Sequence, residues 1–397
     1  MASTVSNQQS DHYVNRRAKE LHKRYSGTRA RRQEVAEKLI DAGQYRLMLE
    51  KFKKHKLAVV SFYILSAIYL MAIFANFVSP YSQVSRFGDY LYASPSKIHI
   101  RDEQGNFHLP FVYGRASELD EATFTYSFVE DTAVRYPIRL FVRGEPYKMW
   151  GVISSDIHLF GIESEDYPFL LLGSDHLGRD LFSRIAFAGR VSLFIGFGGV
   201  IISFILGIFF GGVSGYFGGT VDLLIQRIIE FFMSIPQIPL WMALSAAIPR
   251  DWTGIQTFFA ITVILSLVGW TGLARVVRGK IISLREDDYV TAAKISSASD
   301  LAIIFRHLLP GFTSYLIVHI TISIPGMILG ETTLSFLGLG INPPDVSWGS
   351  LLQQAQDMTV IAFYPWILYP CLAIILAVIL FNFIGDGLRD AADPYTR

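Results

Sequence analysis

The sequence predicts an all-α polytopic membrane protein of six transmembrane helices, with a helical cytoplasmic loop and an extra extracytoplasmic β-rich domain between helices 1 and 2. Three observations carry that prediction. Of the 397 residues, 51% are hydrophobic and 17% charged, too apolar a balance for an ordinary soluble domain. The apolar residues fall in separated blocks of the roughly 20 that a bilayer crossing needs. Basic residues crowd one alternate set of connections and thin out in the other, as the positive-inside tendency requires.

Residues 1–56 form a basic cytoplasmic arm, with 14 Lys and Arg against 6 Asp and Glu, ending in LEKFKKHK. A cleaved signal peptide would place its apolar stretch within about the first thirty residues. Here the first apolar run begins at Leu57, so it is expected to stay attached as an anchor. The arm reads equally as a partly helical segment on the inner membrane surface or as a solvated tail. Transmembrane helix 1 spans 57–79 and carries no charge.

Residues 80–188 form the extracytoplasmic domain. Over 81–170 there are 8 basic against 13 acidic residues, and short aromatic runs such as PIRLFVRG and KMWGVI alternate with polar EQGN and GE. That pattern suits short strands and turns. Within it, Gly173-Ser174-Asp175 and Gly178-Arg179-Asp180 read as turns whose Asp and Arg groups hydrogen-bond locally, leading into the second span; a substrate contact is the other reading.

The transmembrane core spans 189–385. Its helices are expected over Val191–Val213, Val221–Ala247, Phe258–Ala274, Phe312–Leu334 and Phe363–Ile384. The second of these carries Arg227 and Glu230, essentially the only charges inside the spans, and then MSIPQIP, where Pro236 and Pro239 must break or kink a helix. Pro325 interrupts the Phe312–Leu334 segment in the same way. Glycines of Val191–Val213 are candidate packing or bending points. Alternation places both termini, including the tail 386–397, in the cytoplasm. Arg275, Arg278, Lys280, Arg285, Lys294 and Arg306 all lie in one inner connection, whereas 338–362 holds no Lys or Arg.

Several chemistries are excluded. The nearest fragment to a phosphate-binding loop, Arg278-Gly279-Lys280-Ile281, lacks the preceding glycine and the hydroxyl residue, so this chain should not hydrolyse ATP by itself. No HExxH, paired-Cys spacing or GxSxG appears, and the nine histidines are scattered. No catalytic residue, metal ligand, cofactor or nucleic-acid partner is expected. The only cysteine, Cys371, lies in an apolar run and forms no intramolecular disulfide.

Between the fourth and fifth spans, 287–310 reads DDYVTAAKISSASDLAIIFRHLLP. Residues around Thr291–Ile295 suit a short helix, Ser296–Ser299 break it, and Ser299 can cap a second helix beginning near Asp300. In that helix Leu301, Ile304, Phe305 and Leu308 share one side, and Pro310 stops it. Small side chains at Ala292 and Ala293 would let a partner approach closely; an ordinary re-entrant connection is the alternative.

YVTAAKISSAS followed by IIFRHLLP resembles the EAA loop of bacterial ABC importer membrane subunits: Glu-Ala-Ala, three residues, Gly, then an Ile-x-Leu-Pro. Thr291 stands at the Glu position, Ala292 and Ala293 match, Ser297 stands at the Gly position, and Ile304 and Phe305 lead into Leu308-Leu309-Pro310. The loss of glycine at Ser297 leaves the turn without its conformational freedom. FKKHKLAVVSFYIL, LGSDHLGRDLFSRIAFAGRVSL, GYFGGTVDLLIQRIIEFFMSIPQIPL, ETTLSFLGLGINPPDVSWGSLL and FNFIGDGLRDAADP follow in the order found in the C-type permease of oligopeptide and dipeptide importers. The resemblance covers 46–79 and 170–395, not most of 81–165 nor the first 45 residues.

It implies a subunit of the bacterial inner membrane that moves peptides. Its implied partners are a B-type permease, two ABC ATPase subunits holding ATP and Mg, and an extracytoplasmic solute-binding protein. The implied ATPase-coupling residues are Tyr289, Val290, Thr291, Ala292, Ala293, Lys294, Ile295, Ser297, Ile304, Phe305, His307 and Pro310. With no acid at Thr291, the grip on the ATPase should rest on Ala292, Ala293 and Ile295. The outer domain would be a docking surface for the binding protein or a lateral stabilising domain. Oligosaccharide, metal-chelate or peptide-antibiotic cargo on the same machine, a stand-alone secondary transporter, and a membrane-anchored sensor or scaffold are the competing readings.

Overall fold

A computed structural model of the chain describes residues 44–120, 125–164, 167–249 and 251–392. Most of the basic arm, 1–43, and the last five residues of the tail lie outside them. Among the described residues, five helices are long and apolar enough to cross a membrane: Lys56–Ile73, Leu181–Phe217, Gly254–Leu284, Asp300–Phe336 and Pro365–Ala392. A sixth crossing exists if the pair Gly219–Ser234 and Gln237–Ser245, bent by 86°, is one broken span.

That bend sits where Pro236 was expected to break a helix, with Ile235 and Pro236 in extended conformations. Pro239 does not break anything. It occupies the first turn of Gln237–Ser245, where backbone N–H groups have no intrahelical partner to lose. Nor does Pro325 interrupt its span, for Thr313–Phe336 runs through it. Membrane helices accommodate an internal proline when neighbouring helices hold the turn, and here Ile324 and Ile328 close on Gly196, which offers no Cβ to meet them.

We label Gln44–Lys54 α1, Lys56–Ile73 α2, Ala75–Val78 α3, Leu181–Phe217 α4, Gly219–Ser234 α5, Gln237–Ser245 α6 and Gly254–Leu284 α7. The 37 residues of α4 begin ten residues before the expected span and form the spine of the molecule, with α7 and Thr313–Phe336 packed along it. The glycines of α4 serve packing. Gly207, Gly211 and Gly215 recur every four residues, and a Cβ on Gly211 or Gly215 would come within 2.5 Å of the Ala274 carbonyl or 2.7 Å of that of Arg278. Helices in lipid associate through such close approach, because the tails are as apolar as the side chains.

The charges inside the spans differ from expectation. Arg227 and Glu230 pair with each other at 2.8 Å on the outward face of α5, 73% and 52% exposed. The buried acid is Glu331, which the hydropathy blocks pass over. Its two carboxyl oxygens accept from Ser192 Oγ at 2.9 Å and Ser335 Oγ at 2.6 Å. Ser192 Oγ also accepts the Trp348 N–H at 3.1 Å, and the Trp348 indole donates to the Ile185 carbonyl. ETTLSF and SWGSLL are thereby tied to the first turns of α4.

Between the first two spans the chain forms two small antiparallel sheets. One has the order β1 (His99–Arg101), β2 (Phe107–Asp120), β3 (Thr125–Pro137); the other pairs β4 (Arg139–Met149) with β5 (Ile153–Gly161). β2 and β3 are longer than the short strands expected, pairing from Phe111–Pro137 to Asp120–Thr125 with a bulge between Tyr113 and Gly114. Val112, Ile162, Tyr167 and Phe169 make a small core. Buried Arg115 donates across it to Tyr167 Oη, the Ser94 carbonyl and Ser96 Oγ.

LGSDHLGRD forms the turns and local Asp–Arg bonds that its chemistry predicts. Gly178 adopts φ +71°, and a Cβ there would lie 2.0 Å from the Phe87 carbonyl. Asp175 accepts the N–H groups of Leu177 and Arg179 at 2.8 and 3.0 Å, and its other oxygen meets the guanidinium groups of Arg179 and Arg184. Burial alone would raise this carboxyl, but the two arginines hold it below its ordinary value. Asp180 caps α4 by accepting the Ser183 N–H at 2.8 Å. Asp175→Ala strands two buried cations and is expected to lower stability by about 3–5 kcal/mol, read as a fall in thermal midpoint in mild detergent. Arg139→Ala, which removes the exposed pair with Glu163, should cost less than about 1 kcal/mol.

Candidate functional site: the loop between α7 and the fifth span

α7 closes at Leu284, and the chain turns through Arg285 and Asp287 into α8, Asp288–Ile295. The two faces of α8 are distinct. Val290 and Ala293 are buried in a cluster with Ile281, Ile303, Ile304, Leu308 and Phe312. Tyr289, Thr291, Ala292, Lys294 and Ile295 are exposed, Ile295 at 80%. Of the two alanines read as a partner surface, only Ala292 faces outward. Ala293 lies about 100° further round the helix and braces α8 on its own chain.

The break after α8 is a left-handed helix cap. Ser297 adopts φ +58°, its N–H bonds the Lys294 carbonyl at 3.0 Å, and the Ala298 N–H reaches the Ala293 carbonyl at 3.2 Å. Those two bonds are a Schellman motif with Ser297 at the position usually held by glycine. A serine is held there by its neighbours against a cost of about 1–2 kcal/mol. Ser299 then caps the next turn, accepting the Ala302 N–H at 3.4 Å, as its position suggested.

Beyond Ser299 the second helix does not stop at Pro310. Asp300–Ala302 (α9) passes into a π-helical stretch, Ile303–Leu308, then a 3-10 turn, Leu309–Phe312, and on into Thr313–Phe336, which we call α10. Pro310 lies in the first turn of the 3-10 segment, where the change of winding already interrupts the i→i−4 ladder that its missing N–H would break in a regular α-helix. Leu301, Ile304, Phe305 and Leu308 do not share one environment: Ile304 and Leu308 are buried, whereas Leu301 and Phe305 are exposed. Phe305 lines an apolar groove with Phe204, Ile208 and Leu309. His307 is half-buried, and Pro310 is exposed.

Contacts that the sequence pattern leaves out hold the loop at its base. Tyr216, at the end of α4, donates its hydroxyl to Asp300 at 2.9 Å and lies under the Lys294 ammonium, 5.5 Å from the ring centre. A Cβ on Gly212 would meet Ile304 at 2.9 Å. Arg278 on α7 grips Asp222 on α5 through two bonds of 2.6 and 2.5 Å, and Ser214 on α4 donates to the same carboxylate. The available signal was an Asp and an Arg, each at the same end of a different predicted span.

Ser297→Gly should relieve the left-handed cap and stabilise it by about 0.5–1 kcal/mol once glycine's greater chain entropy is subtracted. Slower hydrogen exchange at the Ala298 amide is the readout, and Ser297→Val should speed it.

Residues 203–397 match the family described as binding-protein-dependent transport system inner membrane component, and residues 43–95 match the N-terminal TM domain of oligopeptide transport permease C. The chain is 39% identical over 234 residues to the oligopeptide transport system permease protein OppC of Haemophilus influenzae, covering 59% of this chain and 72% of that one. It is 38% identical over 226 residues to the dipeptide transport system permease protein DppC of Bacillus subtilis, covering 57% and 68%. To DppC of Lactococcus lactis it is 31% identical over 351 residues, 87% of this chain and 88% of that one. An alignment of that extent reaches into the region between the first two spans, where no resemblance was expected over most of 81–165.

Proposed function

Because the chain belongs to the family of binding-protein-dependent transport system inner membrane components, in its oligopeptide permease C branch, we propose that 287–310 is the lever through which separate ATPase subunits drive it. The chain is a multi-pass permease subunit of an ABC importer, a transport component rather than an enzyme. Its cargo is oligopeptides or dipeptides. It pairs with a B-type permease and with two ATPase subunits that bind ATP and Mg, and it receives cargo from an extracytoplasmic solute-binding protein. Residues 1–56 and 386–397 lie in the cytoplasm, 57–79 and 189–385 cross the bacterial inner membrane, and 80–188 lie outside as a β-rich domain.

The observation that carries the coupling reading is the division of α8 into a braced face and a bare one. Val290 and Ala293 are fixed against the ends of α7 and α10, while Ala292 and Ile295 stand free beside Tyr289 and Thr291. A partner groove closing over that bare face moves α8 as a solid piece, and the helices it is packed on follow. Ser297, Ile304 and the turn to Pro310 shape the lever; Tyr289, Thr291, Ala292, Lys294 and Ile295 present the contact. Val290 and Ala293 serve the bracing, and His307 and Phe305 sit where the lever meets α10.

The test is purification with partner subunits from membranes, alongside uptake of a labelled peptide. Ala292→Arg should abolish ATPase co-purification and uptake while leaving the thermal midpoint unchanged. Ala293→Arg should lower the midpoint, because it forces a cation into an apolar cluster. Uptake retained by Ala292→Arg would overturn the reading.

A further inference from the structure

The hairpin joining β4 to β5 is unusual for a tip exposed on a soluble domain. Its last pair is Met149–Ile153, and Trp150-Gly151-Val152 makes the turn. Val152 is 83% exposed, Trp150 56% and Ile153 54%. From Pro146 to Ser155 the only charged residue is Lys148. Turn chemistry calls for Gly, Asn or Asp where φ is positive, yet Trp150 holds φ +50° beside Gly151 at +76°. A bulky residue kept in that region points to a use for its side chain.

Its position supplies the use. The Trp150 indole N–H donates to the Ile73 carbonyl at 3.3 Å, and its ring packs on Phe74 with centroids 5.4 Å apart. Phe141, also exposed, packs on Phe77. Ile73 ends the 18-residue helix α2, which rises about 27 Å at 1.5 Å per residue, against a hydrocarbon core of about 30 Å. The tip therefore meets the first span at the depth where hydrocarbon gives way to headgroups. Arg190 of α4 reaches the same carbonyl at 2.9 Å and Asn76 at 2.6 Å, which puts a cation at the same level. Tryptophan with a neighbouring cation is the composition of a membrane interface. The exposed apolar side of α2, which includes Val60, Tyr63 and Leu70, continues toward this tip.

We propose that the β4–β5 tip, Trp150 to Ile153, is seated in bilayer lipid at the far end of the first span, so that the domain is anchored by an apolar wedge as well as by its chain connections. Trp150 keeps its N–H on Ile73 while its ring, with Val152 and Ile153, lies among the acyl chains, and Lys148 remains at headgroup level. The proposal rests on α2 crossing the membrane and on nothing about cargo or ATPase coupling.

In a Cys371→Ser background, spin labels are placed singly at Val152→Cys, Ile153→Cys, Gln104→Cys in the polar β1–β2 turn, and Tyr63→Cys on the exposed side of α2. The full chain with its co-purified subunits is reconstituted in vesicles of phosphatidylethanolamine and phosphatidylglycerol. Collision of each label with oxygen, which prefers lipid, is compared with collision with a water-soluble nickel chelate. Labels at 152 and 153 should favour oxygen severalfold over the label at 104 and approach the value at 63. If they match 104 the tip is in water, and if they are shielded from both reagents a protein covers it; either result overturns the proposal. A label at 63 that fails to favour oxygen would instead sink the membrane-spanning reading of α2.

Discussion

The backbone-to-backbone contact of α4 with α7 is the constraint on which the rest of the loop end depends. Gly207, Gly211 and Gly215 leave no Cβ between the two helices, so the Ala274 and Arg278 carbonyls come almost against the α4 backbone. In water such a contact would add to burial of apolar surface. In lipid it is the main attraction available, because dispersion falls away quickly with distance. Gly212, on the adjoining side of α4, lets Ile304 approach from the π-helical stretch that leads into α10. Asp222, between Ser214 and Arg278, adds α5 to the same end. Four helices are thereby locked together beneath one short loop.

That base explains why α8 divides its residues as it does. Were α8 free on both faces, a partner pressing on it would bend the loop before moving a span. With Val290 and Ala293 in the same apolar cluster as Ile281, Leu308 and Leu316, α8 is packed on α7 and α10 as one body. The left-handed cap at Ser297 belongs to the same economy of motion: the reversal is made by two backbone bonds within three residues, not by a slack linker. Tyr216 closes the far side by holding Asp300 and lying under Lys294.

How much of this was legible in the sequence depends on which solvent surrounds the segment. The spans could be found because a bilayer sets a length, and blocks of apolar residues show it. Their faces could not be found. A helix such as α4 is apolar toward both lipid and protein, so no periodicity separates Gly211 from its lipid-facing neighbours. The same blindness hid Glu331, one acid among apolar residues, whose partner Ser192 lies 139 positions away. The prolines misled for a local reason: a missing N–H was read as a broken helix at Pro239, Pro310 and Pro325. The structure absorbs the first in an initial turn, the second in the 3-10 turn that follows the π-helical stretch and the third among packed neighbours. In the polar loop, by contrast, both the break at 296–299 and the Ser299 cap were legible. Alignment to the family pattern also placed Ser297 where a left-handed residue is required. Which alanine faces a partner was not legible, since it turns on one step of helical phase.

Two motifs that the sequence could treat only as separate stretches converge on the other end of α4. LGSDHLGRD folds over Asp175 and caps the helix at Asp180. The stretch from ETTLSF to SWGSLL returns to it through Ser192 and the Ile185 carbonyl. These contacts are polar, as are those of Asp222 with Arg278 and of Tyr216 with Asp300 at the loop end, while the glycine packing against α7 lies between the two ends. A 37-residue helix is about 55 Å long at 1.5 Å per residue, well beyond one bilayer core, so a single element reaches from Tyr216 beside the loop to Ile185 beside Trp348. No break interrupts it: Leu181–Phe217 is helical throughout, and neighbouring side chains or backbone close on its glycines. One element thus joins Tyr216 beside the loop to the polar scaffold at Asp175 and Glu331, and through Arg190 to Ile73, where the first span meets the hairpin tip.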